Sequence, residues 1–241
     1  MAASHLLMCL PLLMIATAIA KPFYGFGKEI DMYIKESSQR YHINEKMLRG
    51  LVKIEDGWYG KRSPTGALGV GQFTVGTWNW LASMPEGKSI GMSVITSKNR
   101  GTHKDPRHNK YINTLATGLL ARWHTEQFNQ RGIKVTDANL YMAHNIGLDG
   151  YHRALLGKST KDDIRNMKLN GMTRKMSVRD FIIYQKSRYY QHALIANNIP
   201  INNLPITQNT KSRISKSKND LPSIRWIEPT TANKIIWINP L

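Results

Sequence analysis

The sequence predicts a mainly α-helical domain followed by a basic tail. Three observations carry that expectation. Apolar residues recur at helical spacing in several separate stretches. In the clearest, Asn44, Met47, Leu48, Leu51, Val52 and Glu55 fall at i, i+3, i+4, i+7, i+8 and i+11. Further along, Ile112, Leu115, Ala116, Leu119, Leu120 and Trp123 repeat the pattern. After Asn197 the composition changes: residues 197–222 are Asn, Ser, Lys and Pro with few apolar side chains, which reads as a disordered basic linker.

Taken in order, Met1 to Ala20 is an apolar run ending in Ala18-Ile19-Ala20 before Lys21, the pattern of a secretory signal peptide. The run is short and interrupted by Pro11, which argues against a membrane anchor. It contains the only cysteine, Cys9, so a mature chain starting at Lys21 has no thiol for disulfides or metal binding. Residues 21–196 are then expected as one domain with a substantial core, periplasmic or secreted.

Phe23 to Arg40 reads as the first helix, with Ile30, Tyr33, Ile34 and Ser37 along one side. The second is capped by Asn44, with Glu45 at the positive end of the helix dipole, and Gly57 is expected to stop it. Its apolar stripe runs into Glu55. An ionised Glu on a core-facing stripe is costly unless it is paired or lines a cavity. Desolvation there raises the carboxyl pKa, as a general acid near neutral pH requires. Next, Ser63-Pro64-Thr65-Gly66-Ala67-Leu68-Gly69-Val70-Gly71-Gln72-Phe73 is a turn followed by a Gly-rich apolar segment ending in an amide. It lacks the Gly-Lys-Ser/Thr of a phosphate loop.

Thr74 to Ala82, with Trp78 and Trp80, reads as a short helix, and residues 84–109 as a long excursion along one side of a groove. His103 and His108, with Asp105 between them, have no further ligand at convincing spacing, so neither metal nor cofactor is expected. Helical periodicity resumes at Tyr111. Gly118 inside that helix costs about 1 kcal/mol relative to Ala, which points to close packing against a neighbour. Ala138 to Ile146 reads as the next helix, residues 150–157 as a further turn or two, and residues 160–176 as a basic, mixed stretch without an assigned element. Ser177 to Ile195 is the last helix, with Ser177 as N-cap and Asp180 at N3. In the tail, Trp226, Ile227, Ile235, Ile236, Trp237 and Ile238 form two apolar runs. The sequence leaves open whether these dock on the domain or meet wall, membrane or a partner protein.

The net charge of +18 survives loss of the leader, which has no charged side chain. Such a charge implies an acidic partner. Export disfavours nucleic acid, and no aromatic-basic RNA motif is present. A cell wall with its peptide carboxylates fits better, attracted by a salt-sensitive cationic surface.

Glu55 followed eight residues later by Ser-Pro-Thr-Gly-Ala-x-Gly-x-x-Gln resembles the catalytic signature of soluble lytic transglycosylases, lysozyme-like enzymes that cut bacterial peptidoglycan. Asp56 stands where the family usually has Ser, and Gly71 where it often has Met. Ala143-His144-Asn145-Ile146-Gly147 resembles the family's Ala-Tyr-Asn-Ala-Gly, with His144 in the tyrosine position and Ile146 for Ala. Ser187-Arg188-Tyr189-Tyr190 resembles its Thr-Arg-x-Tyr. The likeness covers roughly residues 28–196. It implies a goose-type, lysozyme-like helical fold with a substrate groove, Glu55 as the catalytic residue, and Ser63, Gln72, His144, Asn145 and Tyr190 as substrate-binding residues. The Ser63 and Tyr190 hydroxyls are expected within reach of the Glu55 carboxyl or of the bond it protonates. Tyr184 and Tyr189 are expected to pack.

Most glycoside hydrolases use two carboxylates. Asp56 adjoins Glu55 in sequence, but neighbours on a helix point about 100° apart, and nothing positions Asp149. The resemblance implies the alternative: Glu55 protonates the bond between N-acetylmuramic acid and N-acetylglucosamine, then deprotonates the muramoyl 6-hydroxyl, giving a 1,6-anhydro product. A goose-type hydrolase using water and a non-catalytic wall-binding or assembly protein are the competing readings. Peptidoglycan is the expected partner of a monomer. Wall turnover, an envelope-spanning secretion or assembly machinery, and phage or conjugation entry all need such an activity.

Overall fold

The computed structural model describes residues 23–198. The expected signal peptide and nearly all of the basic tail with its apolar runs lie outside the described residues. Within them the chain is helical, and the only β-type pairing is an isolated bridge between Leu68 and Phe73.

Helix α1 (Lys28–Tyr41) starts later than the periodicity suggests. Gly25 and Gly27 take φ values of 106° and 94°, which a helix cannot include. Helix α2 (Glu45–Glu55) follows, with the Asn44 side chain accepting the Lys46 N–H at 3.0 Å. Met47, Leu48, Leu51 and Val52 are fully buried. The residue that ends α2 is Asp56 rather than Gly57, in left-handed conformation at φ 56°. Gly57 instead lets the loop come close, since a Cβ there would lie 2.2 Å from the Gly69 carbonyl oxygen and 2.3 Å from the Gln72 amide nitrogen.

Helix α3 (Val75–Ser83) is capped by Thr74 and buries Trp78. The excursion at 84–109 is more structured than its composition suggests, containing α4 (Pro85–Ser89) and a 3-10 turn at Pro106–His108. The long α5 (Lys110–Gln130) lies against α1. Gly118 is a point of close approach: a Cβ there would sit 2.1 Å from Ser37 Oγ, as expected of a glycine that brings two helices together. Next come α6 (Asp137–Ile146), α7 (Leu148–Leu155) and α8 (Lys161–Leu169). Helix α8 had no apolar signature, because it buries little besides Met167, yet Thr160 and Asp163 close a full capping box at its start.

Helix α9 (Val178–Asn197) runs antiparallel to α2 and makes the most extensive helix–helix contact among the described residues. Gly50 faces Ala193 closely enough that a Cβ would come within 2.7 Å of the Ala193 Cβ. Arg49 Nε donates to the Ala196 carbonyl, Asn197 Nδ2 to that of Lys46, and the Tyr189 hydroxyl to that of Met47. The acid-bearing helix is thus clasped along its length by the last described one. No helix among the described residues is long and apolar enough to cross a membrane.

Candidate active site

The Gly-rich segment is a closed loop stapled from outside. Its first turn forms when the Ser63 N–H donates to the Ala67 carbonyl and Ser63 Oγ accepts the Ala67 N–H at 2.9 Å. Leu68 and Phe73 then exchange both backbone hydrogen bonds. The staple is Arg107, a fully buried guanidinium. Its Nη1 donates to the Gly66 and Phe73 carbonyls, while Nε and Nη2 form a fork on Asp105. Burial works to raise the Asp105 pKa, but hydrogen bonds from Arg107 and from the backbone N–H groups of Gly101 and Arg107 outweigh it and bring it to about 2. Asn113 on α5 accepts the Gly71 N–H and donates to the Arg107 and Leu68 carbonyls. Polar residues of the excursion and of α5 therefore fix the loop that meets the end of α2.

Glu55 stands at that meeting point, half-buried at the C-terminal end of α2. Burial pushes its carboxyl up to about 8, against a downward pull from the Arg188 guanidinium on α9. It is therefore protonated at neutral pH, and no described residue hydrogen-bonds it. Arg188 is itself tethered: Nη1 donates to Gln185 Oε1 at 3.1 Å, and the guanidinium lies 5.8 Å from the Tyr184 ring centroid. Gln185 is fully buried and gives its amide N–H to the Asn170 carbonyl. The Tyr141 hydroxyl, on α6, donates to the same Gln185 Oε1 at 3.3 Å. Burial and then the charge of Glu55 push the Tyr141 phenol upward, so this hydroxyl stays protonated.

Parts of the Gly-rich loop, α6 and α9 approach the end of α2: Gln72 packs against Gly57, and Tyr141 and Arg188 interact electrostatically with Glu55. Gln72 sits against Gly57 in a left-handed conformation, and its amide N–H groups go to the Lys61 and Gly69 carbonyls. Its Oε1 is the atom left for a ligand N–H. His144 is not free to read a sugar through Nε2, which donates to the Gly71 carbonyl at 2.9 Å and ties α6 to the loop. Burial brings the His144 pKa down to about 4 despite that bond, so the ring is neutral. Asn145 Nδ2 donates to Asn170 Oδ1, whereas its buried Oδ1 accepts nothing. That oxygen is an unsatisfied acceptor enclosed by the fold, not one presented to a ligand.

The Ser63 and Tyr190 hydroxyls do not hydrogen-bond the Glu55 carboxyl, and Tyr184 is not a core residue. Ser63 Oγ is committed to the Ala67 N–H and to Thr65 Oγ1, so it shapes the turn and does not bond Glu55. Tyr190 is 53 % exposed, edge-on to Tyr189, and makes no hydrogen bond to Glu55. Residues two apart on a helix point about 200° apart, so Arg188 and Tyr190 cannot both face the carboxyl. Arg188 does. Tyr189 packs as expected, stacked on Tyr141 with ring centroids 5.2 Å apart. Tyr184 is 41 % exposed beneath Arg188 and does not pack in the core.

Sequence reasoning missed Tyr141, Gln185 and Arg188 as members of the site. A signal was present: Gln185 and Arg188 are three apart on one helix face, polar where a packing stripe would be apolar. The two carboxylates weighed as partners of Glu55, Asp56 and Asp149, are engaged elsewhere. Asp56 accepts from Tyr59 and Lys61, and Asp149 pairs with Arg131 at 2.6 Å. His103 and His108 are exposed, and the Asp105 between them is spent on Arg107. Comparison with protein-family models and with curated proteins finds no match to this chain.

Proposed function

We propose that this chain is a lysozyme-like peptidoglycan lytic transglycosylase, periplasmic or secreted, that uses Glu55 as both acid and base. The observation that carries this reading is the Glu55 carboxyl itself: half-buried at the end of an apolar stripe, with its pKa raised by burial, and with Asp56 and Asp149 committed to Lys61 and Arg131. Glu55 gives its proton to the oxygen between N-acetylmuramic acid and N-acetylglucosamine as the C1–O bond breaks. The resulting carboxylate takes the proton of the muramoyl 6-hydroxyl, whose oxygen closes on C1. Attack from within the same sugar gains from effective concentration and needs no positioned water. Arg188 favours the carboxylate that must exist between the two steps, and burial favours the acid that starts the first. Gln72 Oε1 offers an acceptor to an N-acetyl N–H group. The mechanism uses neither metal nor cofactor.

The net charge of +18 supports an anionic polymer as substrate. The engagement of Asp56 and Asp149 elsewhere favours this route over a hydrolase with a second carboxylate as base. Such a monomeric enzyme would serve wall turnover or open the wall for an envelope-spanning secretion or assembly machinery. Mass spectrometry of digested peptidoglycan tests the reading. The wild type should leave 1,6-anhydromuramoyl ends, and Glu55→Gln should lower cleavage by at least about 10²–10⁴-fold. Reducing ends would assign a hydrolase, and no cleavage by the wild type a wall-binding protein.

A further inference from the structure

Beyond the Glu55 carboxyl, the chain carries a small cleft that the mechanism does not use. It has a volume of about 130 Å³ and opens between the residues just after α2, the Gly-rich loop and the start of α5. Its lining includes Gly57 and Val70, the aromatic Trp58 and Tyr59, and the basic His108 and Lys110. Drug-sized ligand pockets run from about 300 Å³ upward, so this one suits the end of a chain, not a disaccharide.

The aromatic pair is held in place. Trp58 is gripped edge-on by Phe23 and Phe26, with Lys53 Nζ 5.0 Å from its ring centroid. Tyr59 stands perpendicular to Trp58 at 5.1 Å and is fixed through its hydroxyl, which donates to Asp56 at 2.7 Å. The basic residues of the lining, His108 and Lys110, are exposed, and no carboxylate lines the cleft. The acid paired with Lys110 is Glu29, in a loose exposed pair at 3.7 Å that an incoming carboxylate can displace.

We propose that this cleft receives the carboxylate-bearing end of a peptide carried by the glycan. Its small alkyl group would lie against Trp58 and Val70, and its carboxylate at Lys110 and His108. The proposal rests on the peptidoglycan reading above and narrows it: the preferred substrate is glycan bearing peptides with a free carboxyl terminus.

A titration followed by NMR tests it on the full chain, with a stem-type tetrapeptide ending in D-alanine, its C-terminal amide and a chitin oligomer as probes. The free acid should shift the Trp58 indole N–H and the His108 ring resonances. Lys110→Gln should weaken its binding about three- to tenfold, as expected for losing one exposed charge-assisted contact, and Lys110→Arg should retain it. An amide that binds as well as the acid overturns the proposal, as does an unchanged Lys110→Gln variant or no binding by the free acid. A chitin oligomer that displaces the peptide from Trp58 and His108 would assign the cleft to an acetamido group instead. The titration needs no turnover, so its failure is distinct from a failure of the Glu55 assignment.

Discussion

Replacing Glu55 by Gln should change stability in a pH-dependent way whose sign follows from the burial of that carboxyl. The side chain loses its charge and keeps its shape, so any pH dependence of the difference between variant and wild type belongs to Glu55. Burial raises its pKa from an ordinary 4.5 to about 8. A folded-state value above the unfolded one means the folded chain holds the extra proton between those limits. The favourable contribution is complete below about pH 4.5 and is lost as pH rises through about 8. At about 1.4 kcal/mol per pH unit the full effect is bounded near about 5 kcal/mol. Glu55 keeps a solvent-facing edge, and screening there reduces this to about 1–3 kcal/mol. For a domain of this size that is about 2–10 °C in melting temperature. Calorimetry of both proteins from pH 4.5 to 8.5 should show the Gln variant gaining on the wild type throughout the window. A difference that stays constant, or one that favours the wild type at high pH, would refute the burial of an uncompensated carboxyl.

Two further predictions concern its neighbours. Arg188→Gln removes the pull that lowers the Glu55 pKa, so the alkaline limb of kcat/KM, expected near pH 8 in the wild type, should move to higher pH. Arg188→Lys should leave the limb near its original place, and a limb that ignores both substitutions would exclude Arg188 from the site. Arg107→Ala strands the buried Asp105 carboxylate and the Gly66 and Phe73 carbonyls, at a cost of about 3–5 kcal/mol. Denaturant unfolding measures that loss, and a change below about 1 kcal/mol would show that the loop holds without its staple.

What could be read in advance follows from which interactions are local. The stripe on α2, its Asn44 cap and the carboxylate at its end are all set within one helical segment, and they appear in the structure as the spacing requires. The loop staple is different. Arg107 reaches Gly66 across 41 positions and Asn113 reaches Gly71 across 42, from a stretch whose composition reads as exposed. Nothing local distinguishes a buried Arg from a solvated one. The missing Tyr190–Glu55 hydrogen bond has another origin. The resemblance assigned a role by order along the chain, whereas helix geometry assigns it by angle, and the angle favours Arg188. Helix α8 was missed because one buried methionine does not make a periodic pattern.

The clasp between α2 and α9 also has a consequence in time. Its backbone contacts join residues separated by 142 to 151 positions, among the most distant pairings in the described chain. Contacts of such separation close late, because a long loop must first lose its freedom. Until residues 178–197 have been synthesised and docked, the face of α2 that meets α9 lies open and Arg188 is absent from Glu55. The charge that pulls the Glu55 carboxyl toward ionisation thus arrives with the final helix, so the balance of burial and charge at that residue is set only when the domain is whole.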